Sequence, residues 1–179
     1  MAATVFDSQI FRDSFAAPAM REIFSERQTV ARYVEVEVAL AGVQGRLGII
    51  PQAAADAIKQ RASAKDIDLE QLRQATNVVG YPIVGLVSQL AKQAGDAGRY
   101  LHWGATTQDI MDTAVVLQIK AALAVIDSDL VALDRALAAA RPRRRRPLRL
   151  GVPRQLRRRL QRGWPRHPGA PPRQHTVAA

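Results

Sequence analysis

The residues best equipped for chemistry lie together at 99–113, RYLHWGATTQDIMDT, where His102, Gly104, Thr106, Thr107, Gln108 and Asp109 fall within eight positions. Thr106 and Asp109 have the S/T-x-x-D/E spacing of a capping box, and an apolar periodic run follows them. That spacing predicts a helix starting near Thr107, with residues 102–107 as its approach loop. The first backbone N–H groups of a helix lack internal partners, and the helix dipole favours negative charge beside them. Two hydroxyls and free amides at one helix start can therefore seat a carboxylate. The plain structural alternative is that Thr106 and Thr107 only cap the helix, while His102 makes a local hydrogen bond.

The elements that must hold this stretch read as helices throughout. Ser25 and Gln28 have capping-box spacing, and the pattern runs on to Leu47 with Gly48 as a stop. Tyr33, Val36, Leu40, Val43 and Leu47 recur at helical spacing, which predicts one buried face. Residues 34–38, VEVEV, alternate like a short strand, but the flanking caps and longer register favour helix. Residues 1–24 read as an irregular arm, with Pro18 setting a turn. Pro51 suits the first turn of a second helix, a short one follows at 68–75, and a fourth runs over 82–94 on Ile83, Val87 and Leu90. From Thr107 the apolar positions Val116, Ile119, Leu123, Ile126, Leu130, Leu133 and Leu137 alternate steps of three and four. That is the seam of a left-handed helix packing, and it needs partner helices that the remaining sequence does not offer. The expected fold is all-α: a small helical domain over 1–106, the first helix of a bundle over 107–141, and a tail over 142–179.

At 179 residues one or two domains fit. There is no cysteine, so disulfides and thiolate metal sites are excluded. The three histidines are scattered without H-x3-H or H-E-x-x-H spacing, and no Gly-rich phosphate loop is present; neither a metal nor a cofactor is expected. No basic-then-apolar leader and no apolar run of about 18 residues is visible, which points to the cytoplasm and away from membranes. The net charge of +10 invites a nucleic-acid reading. Residues 1–140, however, hold 13 Lys+Arg against 16 Asp+Glu, whereas residues 141–179 hold 13 Arg and no acid. The tail also carries seven of the ten prolines and no lysine. Arg, Pro, Gly and Ala are what GC-rich codons yield out of frame, so a frameshift or truncation near Ala140 is the favoured reading. A disordered basic tail and an arginine-rich nucleic-acid arm are the alternatives.

Residues 99–113 resemble the first signature region of the fumarase/aspartase superfamily, H-x-G-x-T-[TS]-x-D, in the form found in 3-carboxy-cis,cis-muconate cycloisomerases. Residues 15–51 (FAAPAMREIFSERQTVARYVEVEVALAGVQGRLGIIP) and 76–90 (TNVVGYPIVGLVSQL) are similar to two further stretches of that family, in the same order. The resemblance implies proton transfer alpha to a carboxylate through a dianionic intermediate, without a cofactor. It implies substrate contacts from Arg21, Asn77, Tyr81, His102, Thr106 and Thr107. For Arg21 the plain alternative is a surface salt bridge; for Asn77 and Tyr81, a helix cap and a half-buried aromatic. The family's catalytic acid and its mobile serine loop belong to regions that this chain does not show after Ala140, so no catalytic residue is assigned and the chain alone is expected to be inactive. A homotetramer built around the long helix is implied as well.

Three functions compete on these residues. The first is the N-terminal portion of a cycloisomerase of protocatechuate breakdown, in the beta-ketoadipate pathway. The second is an adenylosuccinate lyase or another lyase of the superfamily. The third is a non-catalytic helical module with a basic nucleic-acid-binding tail, whose binding would weaken steeply with salt.

Overall fold

The computed structural model describes residues 4, 5 and 8–140; the expected tail at 142–179 lies outside the described residues. Contacts gather the chain up to Leu133 into one unit, and of the second, from Asp134 on, 134–140 are described as the end of the last helix. Among the described residues there is no strand, and the helical elements follow in the order α1 (Arg12–Phe15), α2 (Pro18–Ile23), α3 (Glu26–Arg46), α4 (Gln52–Arg61), α5 (Leu69–Val79), α6 (Pro82–Ala94) and α7 (Thr107–Ala140). Short 3-10 helices lie at Ala64–Asp66 and Gly95–Tyr100. No described helix is long and apolar enough to cross a membrane.

The local signals act as their chemistry requires. Ser25 Oγ accepts the Gln28 N–H at 3.3 Å, starting α3. At its other end Gly48 sits at φ +69°, its N–H bonded to the Gly45 carbonyl, while the Ile49 N–H reaches the Gln44 carbonyl. These two bonds form a Schellman stop, which needs the left-handed conformation that glycine adopts without strain. Residues 34–38 lie inside α3, because the caps enclose them in a single helical register. Asp68 caps α5 through the N–H groups of Glu70 and Gln71, and Gly80 ends it in the left-handed region. The supposedly irregular arm is in part helical: Pro18 is the first residue of α2, where its fixed φ and missing N–H cost nothing.

The core gathers Val30, Val34 and Ala41 of α3, Ile58 of α4, Leu72 of α5, Ile83, Leu86 and Leu90 of α6, and Ile110 and Ala114 of α7. Two glutamines of α6 tie it to the connection between α4 and α5. Gln89 exchanges hydrogen bonds with the backbone N–H and carbonyl of Asp68, and Gln93 does the same with Ser63. The bonds to the Ser63 and Asp68 N–H groups satisfy donors that lie outside the helices, while the Asp68 carbonyl also accepts the Leu72 N–H of α5.

The buried face of α3 differs from the apolar spacing of the sequence. Tyr33 is buried, but Val43 and Leu47 are exposed, whereas Val30, Val34, Glu37, Ala41, Gln44 and Gly45 face inward. Two polar side chains on the core face broke the apolar pattern that would have marked it. On α7, Ile110, Ala114, Gln118 and Ala122 step by four along the buried side. The seam from Val116 to Leu137 stands open instead, each of its seven residues 43–61% exposed.

Candidate functional site

The loop before α7 is clamped from beneath. Leu101 is buried, and its N–H closes onto the Gly98 carbonyl at 3.1 Å. His102 then adopts φ +59°, a left-handed conformation that non-glycine residues seldom take. Gly104 follows at φ +69°. Two buried side chains of α3, seven positions apart, hold the turn. Glu37 Oε1 lies 2.6 Å from His102 Nδ1, and Gln44 Nε2 donates to the Trp103 carbonyl at 2.7 Å. Glu37 is fully buried, and its Oε2 has no hydrogen-bond partner. Burial pushes the Glu37 carboxyl above its ordinary value, with the His102 ring beside it pulling the other way.

Above the clamp, α7 begins with the reciprocal cap read from the sequence. The Thr106 N–H and hydroxyl both donate to Asp109 Oδ2 at 2.8 Å, and the Asp109 N–H returns a bond to Thr106 Oγ1 at 3.3 Å. These donors hold the Asp109 carboxyl below its usual range, helped in smaller part by the His102 ring. Thr106 is thereby committed to the cap. The Thr107 hydroxyl has no hydrogen-bond partner among the described residues, so it is the donor left for a ligand at this helix start. His102 does not make a local bond; it reaches 65 positions back in the chain.

The other three positions lie elsewhere. The Arg21 guanidinium bonds the Asp13 carboxylate at 2.6 Å and the carbonyls of Ala16 and Arg12, so it ties the arm together, and no hydrogen bond or ion pair joins it to 102–107. Asn77 is exposed within α5, where Gly80 rather than Asn77 is the cap, and lines a cavity of about 440 Å³ with Phe24, Thr29, Tyr33 and Arg73. Tyr81, just before α6, is 53% exposed. Within the described residues, then, the helix start brings His102, Thr106 and Thr107 together, and Arg21, Asn77 and Tyr81 stand apart. No group of three or more His, Asp or Glu side chains among the described residues is placed to hold a metal ion.

Glu37 was missed as a partner of this site. Its signal was an acid in register with Val30, Tyr33 and Ala41, the wrong residue type for an apolar face unless it has a dedicated partner.

No protein-family model matches the chain. Among curated proteins, trans-aconitate decarboxylase 1 of Mycosarcoma maydis is 49% identical over 64% of this chain and 23% of its own length. The N-acetyl-S-(2-succino)cysteine lyase of Dickeya dadantii is 38% identical over 75% of this chain and 30% of its own. The 3-carboxy-cis,cis-muconate cycloisomerase of Acinetobacter baylyi is 43% identical over 68% of this chain and 28% of its own. The matched segment belongs to the fumarase/aspartase superfamily. Two solved superfamily structures share its fold. The beta-carboxy-cis,cis-muconate cycloisomerase of Acinetobacter calcoaceticus superposes with a TM-score of 0.69 at 39% identity, covering 75% of this chain and 33% of that one. A fumarate lyase from Mesorhizobium gives 0.62 at 56% identity, covering 67% and 28%. The chain thus spans about a quarter to a third of the length of the superfamily members it matches.

Proposed function

We propose that residues 8–140 are the carboxylate-binding portion of a fumarase/aspartase-superfamily enzyme whose substrate is 3-carboxy-cis,cis-muconate. Chemistry of this kind moves a proton alpha to a carboxylate and must stabilise the negative charge that builds there. The observation that carries the reading is the start of α7. There, the free Thr107 hydroxyl, unpaired first-turn amides and the His102 ring meet at the positive end of a 34-residue helix. The cycloisomerase similarity over 68–75% of the chain supports the substrate. Adenylosuccinate lyase or another superfamily lyase is the second reading, favoured by 36% identity to the adenylosuccinate lyase of Methanocaldococcus jannaschii and by the succinocysteine lyase match. All these names describe substrates with several carboxylates, so the anion seat is common to both readings.

Arg21 would supply a cation to a second carboxylate once its arm contacts open, and Asn77 and Tyr81 would complete the site by meeting substrate from other copies of the chain. The proton-transferring acid and base lie outside these residues, and the chain alone is expected to bind without turnover. A cytoplasmic tetramer built on α7 is part of the proposal. Calorimetry on the full chain tests it with 3-carboxy-cis,cis-muconate, trans-aconitate and adenylosuccinate side by side. Tightest binding of the muconate, with no product formed, is the expected result. Tightest binding of adenylosuccinate would move the assignment to the lyase, and binding of none at millimolar concentration would remove it.

A further inference from the structure

We propose that Glu37 is a positioning residue that shares a proton with His102, so that His102 Nε2 carries a hydrogen and donates it to a substrate carboxylate at the start of α7. This rests on the carboxylate-binding reading above and adds the group that makes His102 suitable for it.

The argument begins with proton counting. A neutral imidazole has one N–H. If Glu37 were ionised beside a neutral His102, the buried carboxylate would take that hydrogen on Nδ1, since the two atoms are 2.6 Å apart. Nε2 would then be a bare lone pair and would repel an incoming carboxylate. A carboxylate ligand therefore needs one more proton in the pair: one on Nε2, and one between Nδ1 and Oε1. The geometry favours that count. Glu37 is fully buried, and its Oε2 meets no donor, so a lone anion there is costly. With the extra proton the pair is neutral overall, either as carboxylic acid with imidazole or as carboxylate with imidazolium. Nε2 carries a hydrogen in both forms. The upward push of burial on the Glu37 carboxyl acts in the same direction.

The surroundings hold the ring for this purpose. His102 is kept at φ +59°, and the next carbonyl is pinned by Gln44 two turns further along α3. Nε2 has no hydrogen-bond partner among the described residues, and the His102 side chain is 22% exposed. The titratable groups bearing on the ring are Glu37 from α3 and Asp109 from the first turn of α7. Asp109 Oδ2 already accepts the Thr106 N–H and hydroxyl, and no hydrogen bond joins its carboxylate to Nε2.

The test uses the full chain, labelled with nitrogen-15, and tricarballylate as the probe. Long-range proton–nitrogen correlations report the protonation of each ring nitrogen, with a His102→Gln variant assigning the signals. At neutral pH, Nε2 of His102 is expected to show an N–H shift. Raising the pH should strip the shared proton, leave Nδ1–H facing the carboxylate, and weaken tricarballylate binding about tenfold or more, the size of losing a charge-assisted hydrogen bond. Glu37→Gln keeps the side-chain volume and a hydrogen bond to Nδ1 but cannot ionise, so that alkaline loss should disappear. A bare Nε2 in the unmodified chain at neutral pH overturns the proposal without any variant. So does the same alkaline loss in Glu37→Gln. Absence of tricarballylate binding with Nε2 protonated would instead strike the carboxylate-binding reading, and the nitrogen shifts would still decide the pair.

Discussion

Gln118, on α7, donates to the carbonyl of Ile23, the last residue of α2, at 2.9 Å. The same amide reaches Thr29 Oγ1 at 3.0 Å. One nearly buried side chain thus joins the long helix to the junction of α2 and α3. Gln118→Leu keeps the bulk but leaves an end-of-helix carbonyl unpaired, and should cost about 1–3 kcal/mol in chemical denaturation. No loss of stability would mean that α7 docks without this bond.

Two glycines should respond oppositely to the same added methyl group. A Cβ on Gly98 would lie 2.4 Å from the Ala91 carbonyl oxygen, which is helix backbone and cannot yield. Gly42, inside α3, has nothing nearer than 4.0 Å. Gly98→Ala is expected to destabilise by about 3 kcal/mol or to prevent folding. Gly42→Ala should stabilise by about 0.5–1 kcal/mol. Thermal melts of the pair check both signs.

Thr106 and Thr107 should separate cap from ligand. Thr106→Ala removes the cap and is expected to cost about 1 kcal/mol. It also frees Asp109, whose folded-state carboxyl is held below its ordinary value of 3.8. A depressed value gives stability that is present above the unfolded-state value and lost as pH falls through the folded one. The acid limb of the stability curve below about pH 4 should therefore be shallower in Thr106→Ala. Thr107→Val should leave that limb unchanged and weaken carboxylate binding.

The open seam of α7 should drive self-association. Its apolar side chains are each worth roughly 1.5–3 kcal/mol when moved from water into a packed interface, enough together to exceed the entropy of association. Light scattering at tens of micromolar is expected to show oligomers, and Ile126→Asp with Leu130→Asp should give a monomer whose first hundred residues still fold. A monomeric unmodified chain would contradict the bundle role of α7.

The sequence was most legible where one residue type has one physical use. Gly48, Gly80, Pro82, Ser25 and the pair Thr106/Asp109 marked helix ends closely, because caps and left-handed stops depend on local chemistry alone. The core face of α3 was less legible, since Glu37 and Gln44 interrupt its apolar spacing in order to bond loop groups 59 to 65 positions away. Such bonds leave no periodic trace. The same holds for Gln118, which reads as a polar interruption of α7 until its partner on α2 is seen. Residues 99–113 could be singled out as a candidate by their resemblance to the family signature, but the commitment of Thr106 to Asp109 and of Arg21 to Asp13 depends on folded geometry.

The central claim is that the start of α7 binds a carboxylate, and mapping backbone amide shifts during titration with 3-carboxy-cis,cis-muconate tests it most directly. Saturable shifts concentrated at Thr107, Gln108 and Trp103, reduced in Thr107→Val, are the result expected. Shifts that never saturate, or that gather away from residues 102–109, would contradict it.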